Sequence, residues 1–159
     1  MITKFKIFES TQQKLDNDLY LYTSYSSSLQ TMRDLIKNGA NVNYQISNGW
    51  TPLMRAIFKN FFSGVKLLIE NGANVNIINN DGFSALMVVA SDTYDYEKRK
   101  SVKKIIDLLI ENGADLNVKN AKGQDIFDIN DKLHEYIGNK FPKEYKNYLI
   151  KKDSERYNI

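Results

Sequence analysis

Apolar residues fall along this chain in short helical blocks, and each block runs into the same polar ending. The block Val65, Leu67, Leu68, Ile69 closes as KLLIENGANVN (66–76), an ending that appears upstream as DLIKNGANVN (34–43) and downstream as DLLIENGADLN (107–117). Between two endings the pattern predicts two short helices and a projecting turn. Thr51 can accept from the free N–H groups that open a helix, and Pro52 follows where a missing N–H costs nothing. A first helix is therefore expected from Pro52 to about 59–60, and a second over 63–70. The apolar set of the second is too broad for one stripe, which predicts cover on more than one side. Asn71-Gly72 supplies the left-handed residue that ends it. Polar, Asn-rich chain then turns outward over 73–80, until Asp81-Gly82 reverses it and Ser84 opens the next helix.

The spacing makes these units a stack. Gly39 to Gly72 and Gly49 to Gly82 are both 33 residues, a period found in repeat arrays, where one unit cannot bury its apolar face alone. Gly72 to Gly113 and Gly82 to Gly123 are both 41. The excess of eight falls within about 92–100 (DTYDYEKRK), between two helices whose patterns stay in register, so it reads as a longer connection. Residues 16–47 form a degenerate first repeat. Its Leu19-Tyr20-Leu21-Tyr22 lacks a Thr-Pro start, so Asp18 is expected as the cap, while Leu29, Met32, Leu35 and Ile36 give an amphipathic second helix. Repeat two spans 48–80 and repeat three 81–121.

Residues 122–152 read as a degenerate repeat and C-terminal cap. Asp125 stands in the place of Thr51, Leu133, Tyr136 and Ile137 continue as a closing helix, and Phe141-Pro142 precedes a segment with Tyr145, Tyr148 and Leu149 on one side. The ends of an array expose apolar surface that interior repeats would bury. Residues 1–15 are expected to cover one end through Ile2, Phe5, Phe8 and Leu15, and 153–159 to fray as a tail.

The run Gly49-x-Thr51-Pro52-Leu53-x-x-Ala56, followed by Val65-x-Leu67-Leu68-x-x-x-Gly72-Ala73-x-Val75-Asn76, resembles the ankyrin repeat at that family's own period. Gly82-x-Ser84-Ala85-Leu86 keeps the pattern in softer form. Met54 and Met87 depart from it, standing where the family has a His that hydrogen-bonds between neighbouring repeats. The resemblance implies an all-α solenoid of about four helix-turn-helix units with projecting β-turn tips. It also implies a non-enzymatic module that binds a partner protein through the tips and the exposed side of the first helices, which together form an elongated concave surface.

Composition narrows the chemistry. The absence of Cys removes disulfides, thiol catalysis and Cys-ligated zinc. No Asn-x-Ser/Thr acceptor, signal-peptide core or membrane-length apolar run occurs, which predicts an intracellular, cytoplasmic chain without membrane contact. The lone His134 lies in a helical segment with no Cys, Ser or Asp pairing indicated, and reads as structural. Glycines fall singly at helix ends and turns, with no phosphate-cradling motif. Glu70 and Glu111 share one repeat position and read as solvated. No catalytic residue, metal ligand or cofactor is expected. Net charge is +3 from 22 basic and 19 acidic residues, a mixture that does not imply a polyanion. One cluster supports an alternative: Lys98-Arg99-Lys100 with Lys103 and Lys104, beside Tyr94 and Tyr96, suits a nucleic-acid-binding or regulatory protein. Asp92, Asp95 and Glu97 interrupt it, and the competing reading is a solvated loop.

The partner-binding residues implied by the resemblance flank the turn glycines. They are Gln45, Ser47, Asn48 and Trp50 from one tip, Ile78, Asn80, Asp81 and Phe83 from the next, and Lys119, Lys122 and Gln124 from the third. Trp50 and Phe83 are the expected anchors, because large aromatics release the most area when a partner covers them. The competing reading is that each ring packs on the adjacent turn and stiffens the array. Abundant Lys, Asn and Ile with sparse Ala suggest an AT-rich genome. Ankyrin-bearing proteins of this kind resemble those of large DNA viruses or host-associated microbes, which implies a monomer acting on a host protein.

Overall fold

The computed structural model describes residues 2–25, 28–91 and 100–157. The helix starts follow their capping residues. Thr51 is extended and its hydroxyl accepts from Met54 N, with Pro52 at the first position of α3 (Pro52–Phe58). Ser84 opens α5 (Ala85–Ala90) in the same way, accepting from Met87 N. Asp125 opens α7 (Ile126–Ile129) through a reciprocal capping box with Asp128. The second helices are α2 (Leu29–Lys37), α4 (Phe62–Glu70) and α6 (Lys100–Glu111). All three end alike. Gly39, Gly72 and Gly113 take φ of 95°, 85° and 81°, and the N–H groups of Ala40, Ala73 and Ala114 reach back to the carbonyls of Leu35, Leu68 and Leu109.

Each first helix packs on its second, and like packs on like along the stack. The first layer is α1 (Ile2–Tyr22), α3, α5 and α7, and the second is α2, α4 and α6. This is the all-α solenoid expected from the repeat pattern. Leu53, Leu68, Leu86, Ile105, Ile106 and Leu109 are fully buried between the layers. Met54 and Met87 are fully buried as well, so apolar packing fills the position where a polar link was absent. In α4, Val65, Leu67 and Leu68 are all buried, the broad cover its sequence predicts.

Polar links also join the repeats, through the Asn that closes each of the first two endings. Asn43 donates through Nδ2 to Gly72 O (3.1 Å) and accepts at Oδ1 from Asn74 N (2.7 Å). Asn76 repeats the pair with Gly113 O and Asp115 N, both at 2.9 Å. Helix α1 supplies the same two contacts from outside the pattern: Gln12 donates to Gly39 O (2.9 Å) and Asp16 accepts from Asn41 N (2.6 Å). At a net contribution of about 0.5–1.5 kcal/mol for each of its two bonds, Asn76→Ala is expected to lower stability by about 1–3 kcal/mol. A urea melt measures it, and a change within about 0.5 kcal/mol, the range of inert surface sites, would mean that water replaces the link at no cost.

The ends correct the sequence reading. The expected cap over 1–15 and the first helix of the degenerate repeat form one element, α1, and Asp18 lies inside it and caps nothing. No Gly or Pro interrupts this stretch, so nothing stops the helix. Leu15 packs against the core, while the side chains of Ile2, Phe5 and Phe8 lie outside the described residues. At the other end α8 (Leu133–Lys140) leads into α9 (Pro142–Tyr157). Residues 153–157, expected to fray, continue α9 because Lys152 and Glu155 are bound by Asp125 and Lys119. Tyr148 is 2% exposed but Leu149 is 40% exposed, so Leu149 does not share the buried side. Residues 92–99, which hold most of the expected insertion, lie outside the described residues.

Candidate partner-binding surface

Each tip is a backbone loop closed at its stem. Ile46 N bonds Trp50 O, Asn79 N bonds Phe83 O and Asn120 N bonds Gln124 O, while Gly49, Gly82 and Gly123 donate back to Ile46, Asn79 and Asn120. In two tips a buried Asn braces the loop from inside. Asn79 Oδ1 accepts from Asp81 N and Phe83 N, and Asn120 Oδ1 from Lys122 N and Gln124 N. Neither Asn was singled out from the sequence, although each stands three residues before its turn glycine. Neighbouring tips also bind each other, through Asn80 N to Asn48 O (3.1 Å) and Ala121 N to Asp81 O (2.9 Å). At these crossings a Cβ on Gly49 would lie 2.6 Å from Asn80 Oδ1, and one on Gly82 would lie 2.9 Å from Asn120 Cα.

The tips therefore use several of the expected contact residues internally. Gln45 donates to Gly49 O and Ile78 O. Asn48 Oδ1 accepts from Trp50 N, and Asn80 Nδ2 donates to Ser47 O. Gln124 accepts from Asn120. Lys119 pairs with Glu155 of α9 at 2.6 Å, and the hydrogen bond raises the ammonium pKa and lowers the carboxyl. Ser47, Ile78, Asp81 and Lys122 present exposed side chains, while Trp50 and Phe83 are half-buried and pack against the core.

Trp50 has an aromatic partner that the sequence reading missed. Phe58, at the end of α3, meets it edge to face with ring centroids 5.7 Å apart and planes at 88°. Helical side chains lean toward the N-terminus, so Phe58 folds back over α3 toward Trp50. The available signal was its position, seven residues after the cap Thr51. Among the described residues Phe83 has no such partner, and the position equivalent to Phe58 holds Ser91. Arg55, three residues before Phe58 on α3, donates from Nε to Ser24 Oγ (2.5 Å) and holds its guanidinium 4.5 Å over the Tyr20 ring.

Elsewhere the polar groups bond and stack on one another. His134 stacks on Phe127 at 4.3 Å and its Nδ1 meets Tyr145 Oη at 2.8 Å. Tyr148 donates to Asp125 Oδ2, and Lys152 donates to both, closing α9 onto the cap of α7. Burial pushes the Asp125 carboxyl up, but hydrogen bonds from Lys152, Asp128 N, Tyr148 and Phe127 N outweigh it and hold it below its usual range. Burial pushes Tyr148 up to about 12. The bond to Tyr148 raises Lys152, with burial opposing and Asp125 adding. These shifts favour the ionised Asp125 carboxylate and the protonated forms of Tyr148 and Lys152. Among the described residues no group of His, Cys, Asp and Glu is placed to hold a metal. Of the basic cluster, Lys103 lies over the Tyr136 ring and Lys104 over Phe62, on the second-helix side, and residues 92–99 are outside the described residues. No described helix is long and apolar enough to cross a membrane.

A stack of capped helix pairs with interlocked turn tips defines a solenoid of short repeats. The model of the family of ankyrin repeats matches residues 19–120 in three copies, well over half the chain, and the chain belongs to this family. Ankyrin repeats are generally protein–protein interaction modules and are typically non-enzymatic. No curated protein matches the sequence.

Proposed function

We propose that this chain is a non-enzymatic, monomeric module that binds one partner protein on the face formed by its tips and first helices. In keeping with its composition, the partner is a host factor met inside the cell. The Trp50–Phe58 pair carries the reading: an aromatic couple held on a rigid scaffold, with Phe58 open to solvent, offers a large area for a partner to cover at little cost in ordering. Ile78, Asp81 and Lys122 extend the contact onto the tips, and Phe83 supports it from the next repeat.

Affinity capture with the tagged intact chain tests this. Trp50→Ala and Phe83→Ala are expected to reduce recovery of the partner at least tenfold. Because both rings also touch the core, Ile78→Asp and Lys122→Glu provide a second pair that leaves the packing alone, and melting curves accompany all four. Undiminished recovery with all four variants folded would contradict the proposed face.

A further inference from the structure

The ring of Phe58 is 64% exposed although Trp50 covers one edge. Tyr25, which precedes it by one 33-residue period, is 63% exposed. The bond from Arg55 to Ser24, the residue before Tyr25, ties that end of the first repeat to α3. Positive charge accompanies the Phe58 ring. Lys59 Nζ lies 5.3 Å from the Phe58 centroid, and Arg55 lies one turn away on the same helix. Neither cation has a carboxylate partner among the described residues, whereas Lys66, Lys119, Lys140 and Lys152 each have one.

Resting on the interaction reading above, we propose that the strip of Trp50, Phe58, Arg55 and Lys59 takes a short peptide segment in which a large apolar residue is flanked by carboxylates. The apolar side chain covers Phe58 and the exposed edge of Trp50, where removal from water releases the most area. The carboxylates meet Lys59 and Arg55, which have ring contacts but no carboxylate partner among the described residues. Two cations are too few to follow a phosphate backbone, whose binding is built from many such contacts, so a peptide fits the strip better than a nucleic acid.

The probe is a displayed library of random 14-residue peptides, selected on the intact chain. Enriched sequences are expected to place Asp or Glu within about one helical turn of Phe, Trp, Leu or Ile. Synthetic copies should lose at least tenfold in affinity against Phe58→Ala, an exposed side chain whose removal costs the fold little beyond its edge-to-face contact with Trp50, so the melting curve shifts slightly and the variant stays folded. Selection on Lys59→Glu should lose the acidic preference. Enriched peptides without acidic residues, or peptides indifferent to Phe58→Ala but abolished by Ile78→Asp, would overturn this inference and leave the broader reading standing. The same holds if the library yields nothing while the tagged chain still captures a protein. Tighter binding of a 20-nucleotide single strand, steeply lost with salt and with Lys59→Glu, would overturn it in favour of nucleic acid.

Discussion

Gly82→Ala is expected to destabilise the array by about 2–5 kcal/mol, from roughly 1–2 for a left-handed L-residue and about 1–3 for forced contact. Gly82 has φ of 78°, and an added Cβ would lie within 2.9 to 3.0 Å of the backbone of Asn120 and Ala121. Those atoms belong to the next tip, where Ala121 N is itself bonded to Asp81 O, so they cannot move aside without opening the crossing. Gly72→Ala is the control. Its φ is 85° but nothing lies within 4 Å of the added carbon, so only the strain of about 1–2 kcal/mol remains. Denaturant melts of the two variants should differ clearly, and equal losses would show that the tips are not interlocked.

The second large effect is at the other end of the stack. Asp125→Ala removes the cap of α7, for about 0.5–2 kcal/mol, and leaves the buried Tyr148 hydroxyl without its acceptor, for about 1–3 more. The expected loss is about 1.5–5 kcal/mol, concentrated in α7 to α9 and visible as faster amide exchange there. Asp125→Asn keeps a capping oxygen and isolates the charge. The folded pKa of Asp125 lies below its ordinary 3.8, so its contribution is full above that value and is lost as pH falls through the folded one. Tyr148 and Lys152 titrate above their ordinary 10.0 and 10.5, so their contributions are full below those values and are lost as pH rises, for Tyr148 toward about 12. The wild type should therefore lose stability below about pH 4 more steeply than Asp125→Asn, and parallel curves would contradict the clasp.

Caps, helix ends and the 33-residue period were legible in the sequence because they are local: Thr51, Ser84 and Asp125 each act within three residues of themselves. What was not legible is mostly long-range. Asp16 rather than Asp18 matters in α1 because its partner, Asn41 N, lies 25 residues away. Residues 153–157 hold their helix because Lys119 and Asp125 meet Glu155 and Lys152 across more than 25 residues. The candidate surface shows the same division. Trp50 and Phe83 could be placed beside their turn glycines, but the engagement of Gln45, Asn80 and Lys119 by neighbouring elements depends on residues 33 or more positions distant. Phe58 was within reach, since its distance from Thr51 puts it on the first helix. The family resemblance drew attention to the tips instead.

Site-specific photocrosslinking measures the binding face most directly. A photoreactive amino acid is placed at position 58, at 83, or at 66, where Lys66 sits exposed on the second-helix side. Exposed to the lysate that yields the captured partner and then illuminated, the chain should crosslink that protein strongly from 58, detectably from 83 and not from 66. Crosslinking from 66 with none from 58 or 83 would place the partner on the second-helix side and contradict the account.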